Sequence, residues 1–345
     1  MKPFWKNEKG AMLIWISILT TVLMIMSGTL YEIFFQESRL VNINGARNKA
    51  FYLAEAGVDK KLTELRVNNL NPTSSTLGGG SYSATYCTST SNPSCSSNRI
   101  VSVGTTDGIS KTLTVVVKKL LPKGVRGAIS ANGDVALNGS IIVDGRNYNE
   151  NGTAIVDSGT YGISSGGTVN QGGSSKIGGN GIAPAKPANP VTIEENATDN
   201  IFTTPEEVLG LDPGSLDQYK TSTPPSSSFN GIVYLTTDWT SNVNFGDASH
   251  PSTGILIVHN SSGNALLKNL HGTFKGIIIA DDLVHINGDA ELIGGVVLQK
   301  SSGNTVGNGS AWVKYSTEAM SKYGSLNYSI VSWEDNQNYP SYTYS

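Results

Sequence analysis

The hydrophobic pattern of this chain opens with a continuous run and only later becomes periodic. Lys2, Lys6 and Lys9 precede positions 10–31, which hold no charged residue, and Glu32 is the first charge beyond them. About 20 predominantly apolar residues cross the hydrocarbon core of a bilayer as a helix. The run meets that length, and Ile33, Phe34 and Phe35 extend it. Lysines before the run and none just after it put the N-terminus on the cytoplasmic side, so the remainder is expected across the membrane. From 36 to about 68 the pattern becomes amphipathic. Leu40, Ile43, Ala50, Phe51, Ala54, Val58, Leu62 and Leu65 share one broad face at about 100° per residue. Arg39, Lys49, Asp59, Lys60 and Glu64 mostly occupy the rest, and Asn71-Pro72 ends the helix. A single helix over 11–68 is expected to be about 85 Å long, with 11–35 in lipid and the second half lying on a soluble domain. Gly28 is where such a helix would bend.

A different period follows. Gly78-Gly79-Gly80 precedes alternating, β-branched segments at 81–86, 99–104 and 111–119, the last two joined by a turn at 105–108. These predict a small antiparallel sheet whose apolar face the amphipathic half-helix covers, which closes a unit over 36–122. Over 123–316 the apolar pieces are short: 135–137, 140–143, 231–235, 254–258, 276–280, 283–286 and 295–298. Asn-Gly pairs separate many of them, at Asn132, Asn138, Asn151, Asn230 and Asn287. Short strands with such corners predict a β-solenoid of stacked coils. No strict repeat length emerges, and a β-sandwich is the alternative. The proline-rich stretch 183–228 reads as an excursion over the surface, with one short helix at 205–209 that Thr204 caps. The tail 317–345 holds Tyr323, Tyr328, Trp333, Tyr339, Tyr342 and Tyr344. It is expected to pack back on the end of the solenoid; a contact surface for a receptor, glycan or other subunit is the alternative. The fold class expected is therefore α+β and mainly β.

Composition narrows the compartment. The 345 residues carry a net charge of -3 with 15% charged residues and 39 glycines, which suits an exported, turn-rich β protein and offers no basic groove for nucleic acid. A cleaved secretory signal competes for the N-terminus, but such signals end in small residues, and here the far end reads Tyr31-Glu32-Ile33-Phe34-Phe35-Gln36. A retained helix is the better reading, with processing, if any, after Lys9-Gly10. Cys87 and Cys95 lie close together in a Ser/Thr-rich segment and are expected to form a disulfide in an oxidising compartment; free thiols are the alternative. A zinc site is not expected.

The chemistry of catalysis is thin. Asp281, Asp282, Asp289 and Glu291 gather near predicted corners and invite a glycosidase reading, but corner aspartates that hold turn amides need no substrate. The four histidines have no metal-binding spacing, the loops around Asp238 and Asp247 are weak calcium candidates, and no phosphate-binding loop is present. No catalytic residue, cofactor or metal is expected.

One segment carries a resemblance. Gly45-Ala46-Arg47-Asn48-Lys49-Ala50-Phe51-Tyr52-Leu53-Ala54-Glu55-Ala56-Gly57 follows an apolar helix that starts at a Lys-Gly junction, and a strand pair at 100–104 and 111–117 comes after it. Together they resemble the N-terminal domain of type IV pilus assembly PilX proteins, whose signature is a short run like Ala54-Glu55-Ala56-Gly57; the likeness covers about the first third of the chain. It implies a pilin-like fold and a prepilin-type leader, 1–10, removed by a prepilin peptidase between Gly10 and Ala11. It also implies insertion through a single-pass helix in a bacterial inner membrane, a periplasmic or extracellular C-terminal domain, and assembly with other pilins into a fibre. Minor pilins and the pseudopilin that caps secretion-system fibres are the most similar in role. Two departures bear on that role. Ala11 would begin the mature chain where major pilins have Phe or Met, and Trp15 stands where they have a Glu that pairs with a neighbour's terminal amine. Without that carboxylate an ammonium buried in an apolar bundle loses its partner, which points to a terminal or sparse subunit. The expectation is a non-enzymatic minor pilin or pseudopilin; an adhesin on the same anchor, or an anchored β-helix hydrolase, are the alternatives.

Overall fold

The computed structural model describes residues 8–66, 69–87, 98–200, 202–241, 243–286, 289–301, 303–306 and 309–336. They form two compact units, one of 1–63, 70–116 and 331–345, the other of 64–69 and 117–330.

The first unit is built on α1, Glu8–Arg66, an unbroken helix of 59 residues and therefore about 88 Å long. Positions 12–42 are exposed throughout. The covered face begins at Ala50 and runs through Leu53, Ala54, Gly57, Val58 and Lys61 at helical spacing. Leu40, expected on that face, is instead exposed, while Phe51 and Leu62 are half-buried. The burial belongs to the half-turns that meet the sheet, and the apolar residues before Ile43 lie beyond its edge. The sheet is antiparallel: β1, Thr73–Leu77; β2, Gly80–Cys87; β3, Arg99–Thr106; and β4, Ile109–Lys119. Tight turns close it, with Gly78 and Gly79 at positive φ between β1 and β2, and Asp107 and Gly108 likewise between β3 and β4. β1 lacks apolar alternation and was not legible as a strand.

Small residues let α1 lie against the sheet. A methyl group on Gly104 of β3 would stand 2.1 Å from the Ala50 carbonyl and 2.4 Å from the Ala54 nitrogen. One on Gly57 would stand 2.2 Å from Ser102 Oγ, which is buried and has no hydrogen-bond partner. Buried Lys61 donates to the Asn71 carbonyl, so its charge holds the chain that leaves the helix.

The second unit is a parallel ladder. In spatial order its strands are Lys220–Thr221, Asn230–Leu235, Ser252–Val258, Thr273–Ala280, Glu291–Leu298, Trp312–Tyr315, Ile142–Asp144, Lys176–Gly179 and Ile182–Ala185. Every pair along this order is parallel except the last, which is antiparallel. Two shorter parallel ladders run beside it: Val243–Asn244, Leu266–His271 and Asp282–Ile286, and then Val169–Gln171, Val135–Leu137 and Asn304–Val306. A core of Ile129, Leu137, Val143, Leu256, Ile278, Phe274 and Trp239 fills the space they enclose. The ladders differ from the antiparallel pairing that a β-sandwich requires.

Chain order and spatial order part company here. The early strands Gly127–Ala131 and Ile142–Asp144 are clasped on one side by late ones, Val296–Leu298 and Trp312–Lys314, and on the other by Tyr161–Ser165 and Lys176–Gly178. The proline-rich excursion thus carries the chain from Ile182–Ala185, at one end of the ladder, to Lys220–Thr221, at the other. On the way Val208, Leu209 and Leu216 bury themselves against the outer face formed by Ile255, Ile257, Ile277 and Ile279. The helix Pro205–Leu209 forms as its spacing predicts, with the Thr204 hydroxyl accepting from the Glu207 N–H and Gly210 closing it at φ 69°.

The glycine content has a structural cause in this unit. Gly231, Gly254, Gly276 and Gly294 stand in register, with φ of 108°, 131°, 139° and 147°. A methyl group on each of the last three would lie within 2.0 Å of the carbonyl oxygen on the preceding rung, so only glycine fits. Their unequal intervals along the chain hide the repeat.

The tail differs from expectation. Rather than closing an end of the ladder, it lies along the flank: Met320 is buried in the core and Gly324 packs on Ile277. The strand Tyr328–Asn336 then takes the edge of the five-stranded sheet beside β4. Tyr339, Tyr342 and Tyr344 lie outside the described residues.

Candidate functional site

The N-terminal half of α1 is the most exposed apolar surface on the molecule's described part. Met12, Trp15, Leu19, Met24, Ile25, Phe34 and Phe35 are all open, Trp15 at 72%. Among the described residues α1 is the one helix long and apolar enough to cross a membrane. Its few polar side chains are satisfied internally: the Thr20, Thr21, Ser27 and Thr29 hydroxyls donate to helix carbonyls three or four residues back, at 2.7–3.0 Å. These four hydroxyls therefore present no unpaired donor to an apolar surrounding. Gly28 lies inside the helix with open space around it and interrupts nothing.

Gly10 and Ala11 fall in the first turn of α1, with Trp15 one turn on. Of the motif residues, Ala54 and Gly57 are buried against the sheet, while Glu55 and Ala56 are half-exposed. The motif's small positions thus serve close helix–sheet approach. Cys87 is the last residue of β2 and is disulfide-bonded; Cys95 lies outside the described residues.

The carboxylates of the strand ladder are held by the ladder itself. Asp281 is fully buried, contacts His259 Nδ1 at 2.6 Å, and accepts from the N–H groups of Asn260 and Ala265. Asp282 takes a 2.9 Å bond from Lys300, and Asp289 contacts His271 Nδ1 at 2.7 Å. Glu291 pairs with Lys314, whose ammonium also lies 4.2 Å from the Trp312 ring centre. Asp238 accepts from the Leu266 N–H, and the N–H groups of His250 and Ser249 hold the Asp247 carboxyl below its usual range. The corner carboxylates thus take part in turns and ion pairs, with one oxygen of Asp282 buried and unpartnered. Among the described residues no group of three or more His, Cys, Asp or Glu side chains is placed to hold a metal ion.

Two polar clusters were not anticipated. Asp144, fully buried, accepts from Arg146 at 2.7 Å and from the Tyr148 hydroxyl at 2.5 Å. Burial, reinforced by that bond to Asp144, pushes the Tyr148 hydroxyl up to about 12. Arg126 binds Glu194 through two nitrogens and also reaches Asp199. Burial alone would raise Glu194, but the bonds from Arg126 and Ser164 outweigh it and hold the carboxyl low. The Asp-x-Arg-x-Tyr alternation at 144–148 is a period-two pattern that could have signalled one shared face. The Arg126–Glu194 pair is distant in sequence and left no signal.

A shallow cleft runs along one corner of the ladders, lined by Asn244, Asp247, His271, Thr273 and Asp289. Its neighbour is lined by Asn230, His250, Thr253, Lys275 and Tyr323.

No protein-family model matches the chain, and no curated protein matches it. Among solved structures it is similar to the competence-associated pilin ComZ from Thermus thermophilus, at 11% identity over 84% of this chain and 97% of that one, with a TM-score of 0.22.

Proposed function

We propose that this chain is a non-enzymatic minor pilin or pseudopilin, anchored by α1 in the inner membrane and incorporated at low copy, at or near a fibre tip, into a type IV pilus or related pseudopilus. The observation that carries the reading is α1 itself. A single unbroken helix leaves 12–42 uncovered, with an uncharged, mainly apolar run as far as Tyr31, then continues into the half that builds the small sheet. Such a helix suits two successive environments, lipid and then the helical core of a fibre. The parallel ladders are read as a β-solenoid displayed beyond it, on the periplasmic or outer side. Cleavage by a prepilin peptidase between Gly10 and Ala11 frees the Ala11 amine, and Trp15 supplies no carboxylate for a neighbour's amine, hence the sparse position. Other pilins are the partners. Cys87 pairs with Cys95.

The test is a sheared-fibre preparation. N-terminal sequencing should begin at Ala11, non-reducing mass analysis should find no free thiol, and the protein should be far less abundant than the main subunit. Intact Met1 in cells that hold the peptidase refutes the processing; an even, major presence along fibres refutes the tip assignment. The adhesin reading stands second, on the half-exposed Trp312 and the exposed Ile155 and Val156 of the second unit.

A further inference from the structure

The ladder ends on a strand that is only partly covered. Lys220–Thr221 pairs with Tyr234 and Leu235 alone. Among the described residues no strand pairs with Asn230–Val233 on the side away from Ser252–Val258. At this edge Gly231 keeps the column's conformation, at φ 108°, although nothing lies within 4 Å of the point where its Cβ would be. On the three rungs below, that same point is taken by a backbone carbonyl: Gly231 O against Gly254, Gly254 O against Gly276, and Gly276 O against Gly294. The terminal rung is shaped for a carbonyl that none of the described residues supplies.

We propose that Asn230–Val233 accepts an extended segment of a partner polypeptide as one further parallel strand. Main-chain bonds to a free sheet edge give such pairing its affinity, and alternate side chains give it its selectivity. The strand's own continuation does not fill the place. The residues that would continue the line of Lys220–Thr221 backwards are 216–219, and these turn away: Leu216 is buried in the outer cluster and Asp217–Tyr219 is a 3-10 turn. The ladder of a second copy does not continue it end to end, because its far end is the antiparallel strand Ile182–Ala185, which carries Pro184. The register states what the segment looks like. One residue stacks on Ile232, in line with Ile255 and Ile277, and the next on Val233, in line with Leu256 and Ile278. Two adjacent apolar, β-branched residues without proline fit, preceded by a residue whose carbonyl takes the open point over Gly231. That residue's own side chain faces outward, so it need not be glycine.

The probe is a synthetic peptide of the chain's own next rung, Ser-Thr-Gly-Ile-Leu-Ile-Val, with lysines added at its N-terminus for solubility, titrated into the purified full chain in detergent. We expect saturable binding by fluorescence anisotropy and at least tenfold slower amide exchange at 230–233. Gly231→Ala places a methyl where the carbonyl belongs; the open space lets the free protein keep its fold, and binding should fall at least tenfold. A peptide with both isoleucines replaced by proline should not bind, a control that leaves the protein unchanged. Absent binding, protection elsewhere, or wild-type affinity in Gly231→Ala overturns the proposal. So does a concentration-dependent dimer that protects 230–233 without peptide, which would make a second copy the occupant. None of these readouts depends on fibres or on cleavage at Gly10, so the edge and the pilin reading stand or fall separately.

Discussion

At the scale of single residues, contact distance decides more than chemistry. Gly104 of β3 and Gly57 of α1 both lie at the helix–sheet contact, where what a substituent meets decides its cost. Gly104→Ala drives a methyl into backbone atoms of Ala50 and Ala54, which cannot move without bending the helix, and should cost about 2–4 kcal/mol in denaturant unfolding. Ser102→Ala removes a buried hydroxyl with no partner and should be neutral or stabilise by up to about 1 kcal/mol. A Gly104→Ala protein as stable as the parent would mean that the helix is not seated this closely. Alkaline titration gives a second check. Tyr148 and Tyr234 are both raised to about 12, each chiefly by burial. Their folded values lie above the unfolded value near 10, so the stability they confer is full below pH 10 and is lost as pH climbs towards 12. Unfolding free energy should fall across that window, and the double Tyr→Phe variant should flatten it. Tyr148→Phe alone should cost about 1–2 kcal/mol at neutral pH, because buried Asp144 loses a donor.

At the scale of elements, legibility in the sequence follows periodicity. The long helix declared itself through an uncharged run and then a 3.6-residue pattern, and β2, β3 and β4 through alternation. The face of α1 was legible only where contact exists: Ala50, Ala54 and Val58 are buried, whereas Leu40 belongs to the exposed half. The ladder strands declared themselves as short apolar pieces, but pairing did not, because the glycine column recurs at unequal intervals. The column is itself testable. Gly276→Ala puts a methyl 2.0 Å from the Gly254 carbonyl and should cost several kcal/mol, whereas Gly231→Ala should cost only about 1 kcal/mol for its backbone conformation. Equal costs, measured by thermal unfolding, would deny that rung-to-rung crowding selects glycine. As for the candidate site, the apolar surface of α1 was fully legible. The ion pairs of the corner carboxylates were not, since each joins rungs that are separated in sequence.

At the scale of the whole chain, the ladder is not laid down in order. The rung at Ile142–Asp144 needs both Lys176–Gly178 and Trp312–Lys314 as neighbours. Truncation after residue 290 should therefore do more than shorten the ladder. It should leave Gly127–Ala131 and Ile142–Asp144 with one flank bare, and limited proteolysis should cut within 120–145 as readily as at the new terminus. A truncated protein that protects 120–145 would show that the early strands stand without the late ones.

That clasp has a consequence for the timing of synthesis. A chain made from its N-terminus at roughly 5–20 residues per second must wait on the order of ten seconds to half a minute between completing Ile142–Asp144 and producing the strands that close over it. Throughout that interval the edges of Gly127–Ala131 and Ile142–Asp144 on that side stay open. A nascent chain of this design is a client for whatever shields unfinished strands in its compartment. Its release from such a holder would report that translation has carried Trp312–Lys314 into reach.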